Sequence, residues 1–428
     1  MREMKDSGLP WLGIVPLKWE VRKVKHYYRM QTGFTPNTKN DDFYDDLNGK
    51  DWVTIGDLCD SRFIPPNTSR HVSKKYIDIF NPPIVRRGSL LYSFKLSVGQ
   101  VAFADRDVYT NEAIVSFTAD NEDCLRFLFY SSCLIIENAN ENIYGAKLLN
   151  QKLIKNAYIV YPPLEEQKKI ADFLDFKCSQ IDSIIEKQKR IIEKLKEYKT
   201  SLITEVVTKG LDLNVEMKDS GIKHIGLIPA SWKITKFKQI CNAIGDGIHS
   251  TPKYDEGGDV HFINGNNIGN AYLVFKEDTN TINDEEFMTY KRPFLTNNSI
   301  LISLNGSYGK TSFYNGEKIL LGKSAGYITL KNDENKRYVR YYLQSIPARL
   351  TMDLSLLGST VANLSLRTLK DFVVIYPSKD VQNKIVEYLD CVCHKLDSNI
   401  ERKHRMINKL QEYKKSLIYE VVTGKREV

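Results

Sequence analysis

Residues 161–210 read YPPLEEQKKIADFLDFKCSQIDSIIEKQKRIIEKLKEYKTSLITEVVTKG, and residues 376–425 read YPSKDVQNKIVEYLDCVCHKLDSNIERKHRMINKLQEYKKSLIYEVVTGK. At an offset of 215 they share Tyr161-Pro162/Tyr376-Pro377, Gln167/Gln382, Ile170/Ile385, Leu174-Asp175/Leu389-Asp390 and Asp182/Asp397. They close on Leu195, Glu197-Tyr198-Lys199 and Ser201-Leu202-Ile203 against Leu410, Glu412-Tyr413-Lys414 and Ser416-Leu417-Ile418. Steps of three and four run through both. The first series is Leu174, Lys177, Ile181, Ile184, Gln188, Ile191, Leu195, Tyr198 and Leu202; the second is Leu389, Val392, Leu396, Asn399, Lys403, Met406, Leu410, Tyr413 and Leu417. This is a heptad seam on a long helix, and polar members such as Lys177, Gln188, Asn399 and Lys403 trade stability for register. Ile185, Ile192, Ile400 and Ile407 widen the stripe for an additional contact. Pro162-Pro163 and Pro377 mark the starts, and Gly210 and Gly424 suit the ends. A helix from Glu165 to Val207 would be roughly 63 Å long at ~1.5 Å per residue. Two helices with matching seams in one chain are expected to pair with each other.

The repeat extends outward. Met4-Lys5-Asp6-Ser7-Gly8 recurs as Met217-Lys218-Asp219-Ser220-Gly221, and Gly13, Pro16 and Trp19 recur as Gly226, Pro229 and Trp232, at an offset of 213. The chain is therefore two halves in tandem, each a variable module followed by a helical segment: 1–160, 161–215, 216–375 and 376–428. The modules read as mixed α/β with short strands. Leu90–Ser93, Ala113–Phe117, Ile300–Ser303 and Tyr327–Leu330 are strand-like, with one helix per module near Leu125–Glu137 and Arg337–Ile346. Shared landmarks (Gly33-Phe34-Thr35-Pro36 and Gly247 to Pro252; Val53 to Leu58 and Phe262 to Ile268; Ser89 to Gly99 and Ser299 to Gly309) predict one scaffold carrying two differently decorated surfaces.

The composition narrows the function classes. At 428 residues the prior is about three domains of ~150 residues, and 11% aromatic content argues against disorder. No run of 18 apolar residues offers a membrane span, and the first 24 residues lack the apolar core of a secretory signal. The seven cysteines, at 59, 124, 133, 178, 241, 391 and 393, are odd in number, scattered and without a CxxC pair. They read as reduced thiols in a cytoplasmic protein. The net charge of +8 permits an acidic partner such as nucleic acid.

Catalytic signals are weak. Asn81-Pro82-Pro83-Ile84 is similar to the Asn-Pro-Pro-aromatic motif of adenine methyltransferases, but Ile84 replaces the ring that stacks on the flipped base, and no glycine-rich cofactor loop precedes it. It also reads as a turn before Ile84-Val85. Gly245-Asp246-Gly247 is not followed by a phosphate-loop lysine. Cys391 and Cys393-His394 lack zinc-site spacing, so no metal site is expected. Basic residues beside turn signals are the better candidates: Arg70, Lys74, Lys75, Arg86, Arg87, Lys95, Lys253, Lys291, Arg292, Lys310 and Lys323. Tyr92, His249, Tyr254, Asn264, Asn266, Asn305 and Tyr308 accompany them. Cations would hold phosphates, while amides and His would read base edges. For any one of these residues taken singly, a plain solvated surface position is the favoured reading.

Module, helix, module, helix, with Gly-x-x-Pro-x-x-Trp openings, Pro-x-x-x-x-Gln-x-x-Ile-x-x-x-Leu-Asp helix starts and Leu-x-x-Tyr-Lys-x-Ser-Leu-Ile helix ends, resembles the specificity subunit of type I restriction-modification systems. The resemblance covers essentially the whole chain. It implies two target recognition domains, each reading half of a bipartite, asymmetric double-stranded DNA site. It also implies that the helices form an antiparallel coiled coil giving a pseudo-twofold repeat. That coiled coil would dock two modification subunits, which use S-adenosylmethionine, and restriction subunits would add ATP- and Mg-dependent translocation and cleavage. This chain would then be a non-catalytic subunit with no cofactor of its own. An adenine methyltransferase using Asn81-Pro82-Pro83 and a coiled-coil adaptor without DNA specificity are the rival classes.

Overall fold

The structure is a computed structural model that describes residues 2–58, 62–141, 147–212, 214–290, 295–356 and 363–428. The chain divides into two compact units, residues 1–187 with 405–428, and residues 188–404. Each long helix is continuous in sequence through the boundary between them: Leu164–Lys209 (46 residues) and Lys379–Val422 (44 residues). Their starts are fixed by buried glutamines. Gln167 Nε2 donates to the Pro162 carbonyl at 2.7 Å and Gln382 Nε2 to the Pro377 carbonyl at 3.0 Å.

The first unit opens on a hairpin, Met4–Asp6 with Ile14–Pro16, followed by strand Glu20–Lys23 paired antiparallel with Tyr158–Tyr161. Its centre is a four-stranded antiparallel sheet in the order Arg29–Thr32, Ile114–Thr118, Leu90–Ser93, Val101–Phe103. Both faces are covered, which is why Leu90-Leu91-Tyr92-Ser93 reads as an unbroken buried run. Leu90, Tyr92, Val115 and Phe117 meet Leu125 and Leu128 of helix Glu122–Ser131 on one side. Leu91 and Ile114 meet Val53, Leu58, Val85 and Val108 on the other. A smaller sheet, Arg70–Val72, Lys50–Val53, Tyr109–Thr110, lies on that second side, and its last pair is parallel.

While the first unit also carries a short pair, Asn140–Glu141 with Lys147–Leu148, the second repeats this plan of hairpin, paired strand and two sheets. It has a hairpin Met217–Asp219 with Leu227–Pro229, and strand Lys233–Lys236 paired with Val373–Tyr376. Its four-stranded sheet runs Cys241–Asp246, Ala325–Leu330, Ser299–Ser303, Thr311–Phe313. Its three-stranded sheet runs Thr281–Ile282, Val260–Ile263, Ile319–Leu321, again with a parallel last pair. The shared landmarks now have a cause. A Cβ on Gly33 would lie 1.9 Å from the Thr110 carbonyl oxygen, and one on Gly247 would lie 2.0 Å from that of Leu321, so each marks a backbone crossing that admits no side chain.

Burial corrects the expected helix seam. Leu174, Cys178, Ile181, Ile185 and Ile192 are buried on the first helix, and Leu389, Cys393, Leu396, Ile407 and Leu417 on the second. Leu195, Leu202, Ile400 and Leu410 are half-buried. Ile184, Ile191, Tyr198, Met406 and Tyr413, read from sequence as seam residues, are exposed. The doublets Ile184-Ile185 and Ile191-Ile192 satisfy three-four spacing in either register, so spacing alone did not choose between them. In the true seam Lys199 and Lys414 occupy the positions expected for Tyr198 and Tyr413. Within the first unit Lys414 Nζ meets Asp182 at 2.7 Å; within the second, Lys199 Nζ meets Asp397 at 2.7 Å. In the second unit Lys403 Nζ also donates to Gln188 Oε1 at 2.9 Å, so the segments there run antiparallel.

Candidate nucleic-acid interface

The repeated scaffold brings its divergent loops to one end of each four-stranded sheet. In the first unit the partners Thr32↔Val115, Ser93↔Ile114 and Val101↔Tyr92 place four strand ends together. The loops after Thr32, after Ser93 and before Ile114 leave from there. Asp246↔Gly326, Ser303↔Ala325 and Thr311↔Ile302 make the same end in the second unit. The loop after the third-listed strand is built identically in both. Ser93 N donates to Gln100 O and Gly99 N to Ser93 O, each at 2.9 Å; Ser303 N donates to Lys310 O at 3.0 Å and Gly309 N to Ser303 O at 2.9 Å. The serine hydroxyls tie the same loops, accepting from Gln100 N at 3.0 Å and from Lys310 N at 2.9 Å.

At this end of the second unit the structure gathers His249, Lys253, Tyr254, Asn305, Tyr308, Lys310 and Lys323 on the loops after Asp246, after Ser303 and before Ala325. Lys253, Lys310 and Lys323 are exposed. His249 Nε2 is 2.7 Å from Asp246 Oδ2, and Tyr254 lies against Phe262 at 5.8 Å. Asn264 joins the end through its side chain, which accepts from Ser324 Oγ at 3.0 Å; this bond gives it a structural role, while neighbouring Asn266 is exposed. Lys291 and Arg292 fall outside the described residues.

In the first unit Lys95 sits on the loop after Ser93, 3.8 Å from Glu112. Lys74 and Lys75 begin helix Lys74–Phe80, which stacks beside the same end through Phe34, 6.4 Å from Tyr76 and 6.0 Å from Phe80. Lys75 meets Asp42 at 2.5 Å, and Arg70 lies 4.0 Å from the Tyr44 ring centroid. Arg86 and Arg87 precede strand Leu90–Ser93, at the opposite end from Lys95, and Arg86 pairs with Asp107 at 2.6 Å. Exposed pairs of this kind contribute little and can exchange a carboxylate for a phosphate. Tyr92 is removed from the surface candidates. It is a strand residue with no exposure, and burial pushes its hydroxyl well above the ordinary phenol range.

Asn37, Lys39 and Arg349, not singled out from the sequence, also lie beside these loops. Asn37 and Lys39 are exposed on the loop after Gly33, and Arg349 lies over Tyr308 at 4.2 Å. The first two follow directly on the landmark Gly33–Pro36; nothing local pointed to Arg349, which a helix, Ile346–Ser355, delivers. Asn81 is the left-handed C-cap of helix Lys74–Phe80, with φ of 42° and its N–H on the Ile77 carbonyl at 2.9 Å, which accounts for it as a turn residue. Among the described residues, no group of three or more His, Cys, Asp or Glu is placed to hold a metal ion. Among the same residues, no helix is long and apolar enough to cross a membrane.

Each module is locked to its long helix by the aspartate of the Leu-Asp pair. Asp175 accepts from Arg126 and Tyr130 at 2.6 Å and pairs with Arg62 at 2.5 Å; Asp390 accepts from Tyr341 at 2.8 Å and pairs with Arg337 at 2.7 Å. Burial raises the Asp175 carboxyl, but the bonds from Tyr130, Arg126 and Arg62 outweigh it and hold the group below the usual carboxylate value. The tryptophans of the leading segments seat helix ends. In the first unit Gly424, at φ of 71°, lies where an added Cβ would be 2.4 Å from Pro16 and 3.2 Å from Trp19; in the second, Gly210, at φ of 84°, lies likewise 3.1 Å from Trp232. Trp19 Nε1 donates to Glu166 at 2.7 Å, and Arg2 bonds the same carboxylate.

Comparison with known families and structures follows the same two-part division. The family described as "Type I restriction modification DNA specificity domain" matches residues 16–197 and 229–412. The type I restriction enzyme MjaVIII specificity subunit of Methanocaldococcus jannaschii is 24% identical, over 97% of this chain and 94% of that one. The MjaIX specificity subunit of the same organism is 22% identical, over 100% and 97%. A chain solved in work on complex assembly and conformational transition of the type I R-M system aligns with a TM-score of 0.68 at 16% identity, covering 96% of this chain and 99% of that one, and so shares the fold.

Proposed function

The chain belongs to the type I restriction-modification DNA specificity family, and from that premise we propose how it acts as the sequence-reading subunit of a type I complex. The observation that carries the reading is one scaffold built twice, with its divergent loops at the same sheet end. Each end meets one half of a split DNA site. Lys95, Lys310 and Lys323 engage phosphates, and Asn266, Asn305 and His249 face base edges. Because Ser93-Phe94-Lys95-Leu96-Ser97 stands where the second module has Ser303-Leu304-Asn305-Gly306-Ser307, the two half-sites differ. The long helices act as the spacer, and apolar residues exposed on each of them, Ile184, Ile191 and Tyr198 on the first and Met406 and Tyr413 on the second, are the contacts for two modification subunits. Those subunits hold S-adenosylmethionine, and restriction subunits with ATP and Mg complete the assembly. This chain contributes recognition and no reacting group, and it works in the cytoplasm.

The test is methylation by the assembled methyltransferase on duplexes carrying the site mapped from source genomic DNA. Scrambling the spacer sequence is expected to leave methylation unchanged. Changing spacer length by one or two pairs turns one half-site by about 34–36° per pair and is expected to reduce methylation severely. Equal methylation across lengths overturns the spacer role, and a contiguous mapped site overturns the two-reader mechanism.

A further inference from the structure

Leu96 is the least explained residue at the loop end of the first module. It is 93% exposed and sits at φ of 58°, a left-handed conformation that costs an L side chain and favours glycine. The second module shows what an undemanding loop would use. Gly306 occupies the same register at φ of 65°, inside the same serine-tied hydrogen bonds. Phe94 and Leu304, two residues earlier in each loop, are both buried and anchor the two loops alike. The scaffold therefore accepts glycine at the tip, and the first module carries a large apolar side chain there, flanked by exposed Lys95 and Ser97. Leu96 bears both a conformational and a hydration cost, and at 93% exposure its side chain is little covered by the described residues.

We propose that Leu96 is an apolar wedge that enters the base stack of the half-site read by the first module. This rests on the DNA-reading function argued above and adds a residue that sets specificity through deformation. An inserted leucine trades its exposed surface for contact with base faces, and the step it opens must be one that unstacks readily, such as a pyrimidine–purine step. Lys95 beside it is placed to take a phosphate flanking the opened step. Gly306 leaves the second module without such a wedge, so the distortion is confined to one half-site.

The test uses the assembled methyltransferase complex, its mapped duplex and 2-aminopurine placed singly at half-site positions other than the methylated adenine. Leu96→Gly is a clean variant because the backbone there already suits glycine, so thermal stability is expected to hold or rise. Wild type is expected to brighten one 2-aminopurine position in the first half-site. L96G is expected to abolish that signal and weaken binding roughly tenfold, the scale of a lost base-pair contact. Overturning results are an L96G complex that binds and brightens like wild type, or one that binds weakly with the signal retained, which would make Leu96 a contact without insertion. If the wild-type complex showed no site-dependent binding at all, the DNA-reading function itself would fail, and that outcome is distinct from these.

Discussion

Single residues carry the joints of this molecule. Asp175 ties helix Glu122–Ser131 to the first long helix through Arg126 and Tyr130, with Arg62 from the module as a third partner. Asp175→Asn removes the charge and leaves the guanidinium groups under-compensated, so a loss of about 2–3 kcal/mol is expected in denaturant titration. Because the folded carboxyl is held below its unfolded value, this contribution is complete above about pH 4 and is lost as the pH falls through the depressed value. The wild-type advantage over the Asn variant is therefore expected to shrink in acid; an advantage that is constant down to pH 2 would show that Asp175 acts by shape alone. Gly33→Ala and Gly247→Ala place a methyl group on backbone carbonyls and are expected to cost about 3 kcal/mol or more, read as a lowered Tm or lost expression. Gly56→Ala, whose Cβ would lie 3.7 Å from Thr54 Oγ1, is the tolerated control. At this scale the sequence located the joints without explaining them. Leu-Asp, Gly33 and Trp19 stood out as repeated letters, but their partners lie far along the chain, and Tyr92 passed for a loop aromatic because its strand ends one residue later.

Elements were legible where one local force shapes them. The long helices begin and end within a few residues of the proline and glycine signals, since heptad spacing and caps are local. Strand Leu90–Ser93 was found with its bounds because two covered faces leave a continuous apolar run. Helices Lys74–Phe80 and Ile346–Ser355 were not found. The first is one short turn-rich segment stabilised by Phe34, Phe43 and Tyr76 stacking, and the second carries exposed Ile346, Leu350 and Leu354 that blur its periodicity. The register of the seam was ambiguous because paired isoleucines serve two stripes, and the outcome separates two jobs. Ile192→Asn with Ile407→Asn is expected to cost about 2–4 kcal/mol per site and lower the Tm, since both side chains are buried. Tyr198→Ser with Tyr413→Ser, each exposed on its own helix, is expected to leave the Tm within a degree or two while reducing co-purification with the modification subunit. The opposite pattern would reverse the assignment of the two stripes.

For the molecule as a whole, the tandem repeat announced two scaffolds, and composition set the bounds, but neither showed which pieces of chain complete which unit. That depends on contacts several hundred residues apart: residues 405–428 belong with 1–187, while 188–404 are contiguous. A chain ending at His404 is expected to keep tryptic protection across 216–375 and to lose it across residues 4–160; equal protection of both modules would show that the first unit closes without its last helix turns. The seat of Gly424 against Pro16 and Trp19 has a bearing on synthesis. The polypeptide that leaves the ribosome first is completed last. At about 5–20 residues per second the first module waits many seconds for its final segment, while the second has everything it needs once His404 has emerged. Until residues 405–428 arrive, Trp19 has Glu166 and Arg2 as partners but lacks the Gly424 seat, so the first unit stays open longer than the second.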